Sequence, residues 1–357
     1  MREVVTVPAD RLRNFCMALF ASVGMQEEEA LVNADNLVDA DLKGIDSHGV
    51  SRMPIHLKRL RLGLVRPNYA IKTISDRLSA AVLDACDSMG PYVSCRATDM
   101  AMAKAAQTGV ALVTVKNSNH NGTAGYYVER AIRQGMIGFA ATNSPARMAP
   151  WGGRDPYFGT NPFAVGIPAG KALPIVADMA TSVVARGKVV IAAKYKQPIP
   201  LGWALNKDGE PTTDAAEGVV GSVLPFAGAK GSAIALVIDV LAGILSGSLF
   251  GPYIRDMYSD FKNPTAISHT FGAINIEAFT SAAQFRSDID KMISEIKHGT
   301  PAKNVSEIFL PGEIELRRRE RYLREGIPLS QAIADDLQRE GEECRTTCSW
   351  ASVTQMV

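Results

Sequence analysis

The sequence has little of what marks a protein for export or for binding to nucleic acid. Its 38 basic and 37 acidic residues leave a formal net charge of +1, so its overall charge favours neither a nucleic acid nor an anionic membrane as a partner. Five cysteines, an odd number without a C-x-x-C pair, do not indicate a disulfide framework. The first residues, MREVVTVPADR, are too charged for a signal peptide. We therefore expect a cytoplasmic protein with no nucleic-acid partner.

Long uninterrupted apolar runs are also missing. The most apolar stretch, Ser232 to Leu245, is broken by Asp239 and is too short to cross a bilayer as a helix. It predicts a buried core helix, and we expect no membrane partner. Hydrophobic residues still make up 46% of the 357 residues, which is enough for a large core in two or three structural units.

Four common catalytic or nucleotide-binding motifs are absent from the sequence. There is no G-x-G-x-x-G, whose glycines let a pyrophosphate approach a helix N-terminus in the Rossmann fold. There is no G-x-x-x-x-G-K-[ST], no H-E-x-x-H and no G-x-S-x-G, which removes the main support for a P-loop protein, a zincin and an α/β-hydrolase. Metal-ligand spacing is absent as well, so we expect no metal.

The pattern of apolar residues changes along the chain. Up to about residue 65 it has helical periodicity, with glycines at 24, 44 and 63 where predicted helices end. Short β-rich runs then alternate with helices, which indicates an α/β core; the runs lie at 81–83, 110–115, 137–142, 175–178 and 267–276. Between residues 183 and 250 helices predominate again, and a charged helical tail follows Pro311.

This pattern predicts three domains on an α/β fold with flanking helical subdomains. Residues 1–75 and about 310–357 would form a helical domain. Residues 76–182 and about 262–309 would form the α/β domain, and residues 183–261 a mainly helical subdomain.

Two histidines lie in polar, glycine-containing loops. His48 is in DSHGVSR, and His120 is in KNSNHNGTAG, directly after the strand predicted at 110–115. Catalytic groups often lie in such loops, although a histidine there can equally cap a turn or bond a carbonyl. Arg52 would lie one helical turn beyond His48 and could bind a carboxylate with two nitrogens, or it is a solvated charge on a basic helix. We assign no chemistry to the remaining histidines, His56, His269 and His298.

Seven motifs occur in order along the chain: DSHGVSR (46–52), NSNHNGTAGYY (117–127), NSPARMAPWGGRDPYFGTNP (143–162), DMATSVVARGK (178–188), GWALNKDGEPTTD (202–214), AKG (229–231) and PGE (311–313). Together they resemble the type 2 malate/L-lactate dehydrogenase family over roughly residues 5–340. Members of that family include sulfolactate and ureidoglycolate dehydrogenases and reductases of keto and imino acids. Because these members share nearly all of the motifs, the resemblance does not fix the substrate.

The resemblance implies an NAD(P)-dependent homodimer whose cofactor lies on a mixed, largely antiparallel sheet outside the Rossmann class. The α/β domain would then bind the cofactor, with NAD expected from the family's commoner usage and NADP as the alternative. By match of motif, His48 and His120 are the proton-transfer residues, Arg52 binds the substrate carboxylate, and Asn117 holds the substrate beside it.

The cofactor contacts implied by the family are Ser144, Asp178, Met179, Ala180, Ala229, Lys230, Pro311, Gly312 and Glu313. One position departs from the family's pattern. Relatives often have an aromatic residue where this chain has Ala229, which puts a ring-stacking contact there in doubt.

These residue types suit the oxidation of a 2-hydroxy acid. Removing hydride from C2 requires a base for the hydroxyl proton, and imidazole, with a pKa of about 6.5, titrates close to neutral pH. His120 is the first choice for that base, with His48 bonding the same oxygen or acting as the donor in reduction. Which of the two is the principal acid and base stays open. Arg52 would hold the carboxylate so that C2 faces the nicotinamide.

Arg147 lies in an otherwise small, apolar loop after a predicted strand end. Pointing inward, it would join Arg52 as a second cationic group for a dianion such as malate or sulfolactate; pointing outward, it would pair with a surface acid. The expected function is hydride transfer between NAD(P) and C2 of a small 2-hydroxy or 2-keto acid, most of all such a dianion. The alternatives are a reductase of another keto or imino acid, a hydrolase or lyase that uses His120, and a non-catalytic binding protein.

Overall fold

The structure is a computed structural model that describes residues 3–68, 70–346 and 354–356. Within these residues the α-helices are α1 (Ala9–Ser22), α2 (Glu27–Leu42), α3 (Met53–Arg61), α4 (Gly90–Thr108), α5 (Gly125–Arg133), α6 (Arg186–Lys194), α7 (Ala215–Val220), α8 (Ala229–Asp239), α9 (Ala282–Lys297), α10 (Glu313–Glu325) and α11 (Gln331–Glu343). The strands are β1 (Glu3–Val7), β2 (Lys72–Asp76), β3 (Ala80–Asp84), β4 (Val110–Ser118), β5 (Ile137–Thr142), β6 (Phe163–Ile167), β7 (Ile175–Met179), β8 (Ala204–Leu205), β9 (Pro211–Thr212), β10 (Ser222–Val223), β11 (Ile267–Ile274), β12 (Ile327–Ser330) and β13 (Thr354–Met356).

The centre of the molecule is a seven-stranded mixed sheet in the order β2-β3-β4-β11-β5-β6-β7. Only β3 and β4 run parallel, and every other neighbouring pair in this sheet is antiparallel. The α/β fold with a mixed, largely antiparallel sheet, expected from the sequence, is therefore confirmed. Such a sheet is unlike the mostly parallel sheet of the Rossmann fold, which accounts for the missing glycine motif.

The middle of this sheet is apolar and closely covered. Phe271 of β11 lies between Val113 of β4 and Ala140 of β5 in the strand register, and the three side chains are almost fully buried. Tyr127 of α5 packs its ring edge-on against Phe271, with ring centroids 5.2 Å apart. Strand β11 is buried along nearly its whole length, so it is covered on both faces of the sheet.

The strand directions bring several loops to one edge of the sheet. Because β3 is parallel to β4, and β5 and β4 are both antiparallel to β11, the strands β3, β4 and β5 all end where β11 begins. Strand β7 is two antiparallel steps from β5 and ends there too. We call this the loop edge; the residues that follow 84, 118, 142 and 179 emerge from it, and they include the loops of His120 and Ser144.

The N-terminal helices form a second core beside the sheet. The helical periodicity of the sequence is confirmed in α1, where the apolar residues of one face are buried: Leu12, Phe15, Cys16, Leu19 and Phe20. They pack with α2 and with Ile327, Leu329 and Leu337 from the C-terminal part of the chain. Strand β1 pairs with β12 and β13, so the two ends of the chain share this unit. The division of the chain into three domains stays a prediction.

The stretch 232–245 departs from the prediction of a buried core helix. This stretch forms most of α8 and continues as a π-helical turn, Val240–Ile244. Five large side chains of the stretch are 40 to 52% exposed: Leu236, Val237, Val240, Ile244 and Leu245. Only one side of the helix faces the protein, and mainly small residues such as Ala235 and Ala242 are buried there. An apolar run alone could not distinguish a helix surrounded by protein from one with a single covered side.

Residues 183–261 also contain a small sheet that the helical pattern did not predict, in the order β10-β8-β9. No helix in the described part of the chain is long and apolar enough to cross a membrane. Cys86, Cys95 and Cys344 are free thiols, and Cys348 lies outside the described residues.

A buried lysine joins the helical unit to the sheet. The Lys43 Nζ lies 2.5 Å from Asp39 Oδ2 and 2.5 Å from Glu129 Oε1, and Arg319 of α10 approaches Asp39 at 3.4 Å. Burial alone would lower the pKa of Lys43, but the two carboxylates outweigh it and raise the pKa above its usual value. The ammonium therefore stays charged and holds α2 against α5.

Replacing Lys43 by alanine should lower the free energy of unfolding by about 3–5 kcal/mol, because two buried carboxylates lose their counter-charge. The loss should be smaller at pH 5 than at pH 8, because burial raises the pKa of Glu129 and protonation of Glu129 relieves the repulsion. Lys291→Ala is the matched control: it removes an exposed lysine that also lies four residues from its partner, Glu295, and should change stability by no more than about 0.5 kcal/mol. Equal small effects in denaturant unfolding would show that Lys43 does not hold this junction.

Candidate active site

The loop of His48 is built on a buried carboxylate. Residues 46–48 form a single 3-10 turn after α2, and Asp41 accepts a hydrogen bond from the Val50 N–H at 2.8 Å. A Cβ added to Gly49 would lie 1.8 Å from the Asp41 carboxylate, so only glycine permits this close approach. The turn directs His48 and, at the start of α3, Arg52 into the same half-buried space at the loop edge.

Three imidazoles meet in this space. The ring centroids of His48 and His120 are 5.4 Å apart, and those of His56 and His120 are 6.0 Å apart. The structure thus brings together the two histidines selected from the sequence and adds His56, which we had given no role. Its signal was available, because His56 lies four residues after Arg52 and therefore on the same face of α3.

The hydrogen bonds of the two loop histidines differ in kind. The Ser47 hydroxyl lies 2.9 Å from His48 Nδ1, and a hydroxyl can accept from a protonated ring nitrogen or donate to an unprotonated one. His120 Nδ1 accepts from the backbone N–H of Gly122 at 3.2 Å, and that group can only donate. Neutral His120 therefore carries its proton on Nε2, while His48 can leave Nε2 unprotonated.

The surroundings keep all three imidazoles neutral. Burial, and then the charge of Arg52, lower the pKa of His48 to about 3. Burial, Arg52 and Arg59 lower the pKa of His56 to about 3 as well. The pKa of His120 falls well below its usual value through burial, Arg52 and the neighbouring imidazoles. At neutral pH the only positive charge in this cluster is therefore Arg52.

Arg52 is held without a counter-ion. Its Nε donates to the Ser47 carbonyl at 2.7 Å, and its Nη1 lies 3.6 Å from the Met257 sulfur. The guanidinium carbon lies 5.5 Å from the centroid of the Tyr258 ring. No carboxylate in the described ranges forms an ion pair with it, so its charge is available to an anion.

Asn117 lies at the end of β4 in the left-handed conformation, with φ +52°, which asparagine tolerates better than most residues. Its side-chain amide donates to both oxygens of Asp84, at 3.0 and 3.1 Å. The amide nitrogen is thus occupied by Asp84, and its carbonyl oxygen is the atom left for a ligand.

Arg147 is partly buried, with 33% of its side chain exposed, and forms an ion pair with Asp256. Its Nη1 also lies 3.2 Å from the carbonyl of Ala146. The structure therefore does not bring Arg147 into direct contact with Arg52; Asp256 and the two residues after it lie between them.

The segments expected to bind the cofactor follow the edge strand β7. Met179 ends that strand, and the Phe226 N–H donates to the Thr181 carbonyl at 3.0 Å, which sets the start of α8 (229–230) beside it. At the other end of β7, the Val176 N–H donates to the Pro311 carbonyl at 3.0 Å. Residues 178–180, 229–230 and 311–313 therefore border one strand.

Ser144 lies in the loop that follows β5, next to the loop of His120. Its N–H donates to Asn161 Oδ1 at 3.1 Å, just before β6. Two residues before Ser144, the Thr142 hydroxyl lies 2.8 Å from Nδ1 of the buried His269. The Nε2 of the same ring lies 2.9 Å from the Ser118 hydroxyl at the end of β4. The loop that contains Ser144 and the loop that contains His120 thus leave the sheet side by side.

The side chains along β7 suit a dinucleotide only in part. Lys230 is exposed and has no carboxylate partner among the described residues, as a phosphate ligand requires, and Met179 presents an apolar side chain that is 41% exposed. The Glu313 carboxylate, in contrast, already pairs with Lys297 and Arg317. Lys230 and Met179 therefore fit a phosphate and a flat ring, whereas Glu313 serves the protein itself.

An aromatic ring does lie beside Ala229, although it comes from elsewhere in the sequence. A Cβ added to Gly228 would be 2.8 Å from the indole of Trp151, and the backbone N–H of Trp151 donates to the Ser232 hydroxyl at 3.0 Å. The indole is 64% exposed.

Comparisons with known proteins agree with this arrangement. Residues 7–338 match the family described as malate/L-lactate dehydrogenase. The chain belongs to this family. A malate dehydrogenase from Pyrococcus abyssi is 38% identical over 341 residues, which cover 93% of each chain. The solved structure of sulfolactate dehydrogenase from Methanocaldococcus jannaschii has a TM-score of 0.91 and 36% identity, covering 97% of this chain and 98% of the other.

The names of the similar proteins differ in the substrate and in the cofactor that they state. The solved structure of delta1-piperideine-2-carboxylate reductase from Pseudomonas syringae is 30% identical, with a TM-score of 0.84 over 94% of this chain and 99% of the other. Relatives are named for NAD(+) and for NADP(+). The expected family and the expected class, an oxidoreductase, are confirmed, and the hydrolase or lyase alternative is dropped.

The pKa values predict that His48 and His56 stay neutral down to about pH 5. Their ring nitrogen chemical shifts, followed by NMR of histidine-labelled protein, should not titrate between pH 5 and 8. Arg52→Gln should raise the pKa of His48, because a nearby positive charge disfavours the imidazolium, but not as far as the usual value of about 6.5, since burial remains. Lys58→Gln, which removes an exposed charge from the same helix, should leave it unchanged. Wild-type midpoints near 6.5 would contradict this account of the cluster.

Proposed function

We propose that this chain transfers a hydride between NAD(P) and C2 of a small 2-hydroxy acid. The observation that carries the proposal is the cluster of three neutral imidazoles around Arg52, a cation without a counter-ion, at the loop edge. A carboxylate bound to Arg52 would lie next to groups that can accept or donate one proton. Relatives named malate and sulfolactate dehydrogenase support the same substrate class.

Arg52 binds the C1 carboxylate with its guanidinium and so orients C2 and its hydroxyl toward the histidines. His48 is the principal acid and base in this proposal. With Nδ1–H bonded to Ser47 Oγ, the unprotonated Nε2 takes the hydroxyl proton as the hydride leaves C2. Because the Ser47 hydroxyl accepts the Nδ1–H in both the neutral and the charged state, His48 can be protonated without losing this bond.

His120 has the complementary role. Its Nδ1 accepts from Gly122, so protonation of that nitrogen would set two N–H groups against each other. We infer that His120 stays neutral and donates from Nε2–H to the substrate oxygen. This reverses the preference drawn from the sequence, in which His120 was the first choice for the base, and that earlier assignment is the outcome to be tested against it.

The nicotinamide, when bound, accepts the hydride or supplies it. Ser144, residues 178–180 and Lys230 would hold the cofactor along β7, with Asp178 fixed by the N–H of Gly125 at 2.7 Å. Ala229 and the backbone of Pro311 and Gly312 border the same strand. We propose NAD as the cofactor and keep NADP as the alternative.

A dianion such as malate or sulfolactate is the substrate we propose, with Arg147 as the group that binds its second anionic end. A reductase of another keto or imino acid is the second candidate. It is favoured by the likeness to the piperideine-carboxylate reductase structure.

The histidine roles predict unequal effects of matched variants. His48→Asn should lower kcat for malate oxidation by about 10²-fold or more, the usual effect of losing a general base, while NADH binding measured by fluorescence is unchanged. His120→Asn should retain more activity than His120→Ala, because the amide can still donate a hydrogen bond. If both His120 variants lose as much as His48→Asn, His120 is the base instead. If the wild type binds neither NADH nor NADPH, the proposed function itself is rejected.

We propose further that the enzyme is cytoplasmic and forms a homodimer. The free thiols of Cys86, Cys95 and Cys344 suit a reducing compartment. The exposed face of α8 and the turn after it supplies a contiguous apolar surface of the kind that homodimers bury. A symmetric dimer would pair this face with its own copy.

Sedimentation should give a single species at twice the chain mass of 38.3 kDa. Leu236→Lys combined with Ile244→Lys should shift it to the mass of one chain, because two charges would be buried in the interface. Met292→Lys on α9 is the control, since Met292 is also 50% exposed but lies outside this face. A wild-type monomer at low micromolar concentration would refute the dimer.

A further inference from the structure

The segment 256–263 lies between the two arginines that we assign to the substrate. Its first residue, Asp256, forms the ion pair with Arg147, and its next two residues, Met257 and Tyr258, contact Arg52. Cα atoms two residues apart are at most about 7 Å from each other. The two guanidinium groups therefore contact neighbouring residues of one short segment.

Helix α3 holds this segment in place. The guanidinium of Arg59, only 1% exposed, donates to three of its carbonyls, those of Met257 at 3.2 Å, Asp260 at 2.7 Å and Asn263 at 3.0 Å. Lys58 Nζ lies 3.9 Å from the centroid of the Phe261 ring. These contacts fix the backbone that presents Asp256.

The carboxylate of Asp256 is fixed as well. Its Oδ1 accepts from the N–H groups of Tyr258 at 2.7 Å and Ser259 at 3.2 Å, while Oδ2 faces Arg147. The Arg147 guanidinium has little else to hold it, because its other hydrogen bond within the described residues is to the carbonyl of Ala146, directly before it. In this ion pair the carboxylate is the fixed partner and the guanidinium the movable one.

The pair also has a surplus of positive charge. Burial and the neighbouring guanidinium of Arg186 lower the pKa of Arg147 to about 10, so Arg147 remains protonated at neutral pH. Arg186 donates to the carbonyl of Val219 at 3.0 Å and has no carboxylate partner among the described residues. Arg147 thus has one carboxylate partner and one neighbouring guanidinium, which leaves a local positive charge that a second anion would offset.

We propose that Asp256 sets the enzyme's preference between monoanionic and dianionic substrates. Its carboxylate occupies the position on Arg147 that the distal anion of a dianionic substrate would take. This inference rests on the proposed function. A monoanion such as lactate uses Arg52 alone and leaves the pair of Arg147 and Asp256 intact. A dianion competes with the Asp256 carboxylate for the same guanidinium N–H groups, so its binding is weakened by the ion pair that it breaks.

Asp256→Asn tests this directly, because the amide oxygen can still accept from Tyr258 and Ser259 while the charge is lost. We expect kcat/KM for malate to rise about 5- to 10-fold, mainly through a lower KM, as partly buried charge-assisted pairs of this kind suggest. The value for lactate should change less than twofold. Asp260→Asn is the matched control in the same segment, since the hydrogen bonds to the Asp260 side chain from the described residues come from Lys262 and Asn263, and it should change neither value.

The double variant Arg147→Ala with Asp256→Asn decides how Asp256 acts. Arg147→Ala should lower kcat/KM for malate by roughly 10²-fold with little effect on lactate, and adding Asp256→Asn should then have no further effect. The proposal is overturned if Asp256→Asn leaves malate unchanged, if it changes malate and lactate equally, or if its gain persists without Arg147.

Binding without turnover separates this inference from the proposed function. If the wild type oxidises neither acid, calorimetric titration of the NADH-loaded protein with malate and with lactate still measures the charge preference. Tighter malate binding in Asp256→Asn, absent in the double variant, would support the role of Asp256 even then. Unchanged malate binding would reject it.

Discussion

The buried imidazole of His269 determines where the reacting groups lie. It hydrogen bonds on both nitrogens, to Thr142 at the end of β5 and to Ser118 at the end of β4, and burial lowers its pKa to about 3, so it bridges the strands as a neutral group. A neutral ring can satisfy one donor and one acceptor at once, whereas an imidazolium would need two acceptors. Because this bridge holds two strand ends together, the loop with His120 and the loop with Ser144 emerge next to each other, and proton transfer and cofactor binding can share one space.

Charge within that space depends on a single arginine. Burial, and then the charge of Arg52, lower the pKa values of the three surrounding imidazoles, so the histidines are neutral and the cluster has a net positive charge that suits a carboxylate. When an anion binds, it offsets the charge of Arg52 and makes protonation of an imidazole easier. In the proposed function, the interaction that would recognise the substrate therefore also raises the basicity of the group proposed to take its proton.

The sequence predicted what depends on local pattern. The inner face of α1, the loops of His48 and His120, and the family motifs are all readable from residues close together in the chain. His56 was missed even though it lies four residues after Arg52, because a histidine on an amphipathic helix is indistinguishable from a packed one until its neighbour across the fold is known. Asp256 gave no signal, since its partner Arg147 is more than a hundred residues away. The exposed face of α8 was misjudged because hydropathy reports composition, not what covers a surface.

Helix α3 explains how recognition and selectivity can be separated. Arg52, His56 and Arg59 follow one another on its inner face at helical spacing, so a single rigid element carries the carboxylate ligand, an imidazole of the cluster and the anchor of the segment 256–263. The Arg59 guanidinium donates to three backbone carbonyls of that segment, and these hydrogen bonds do not depend on which side chain lies at position 256 or 258. Substitutions at 256 or 258 can alter the surroundings of the two arginines while His48 and His120, which are fixed from α2 and β4, keep their positions. A family that shares its catalytic motifs can in this way differ in substrate.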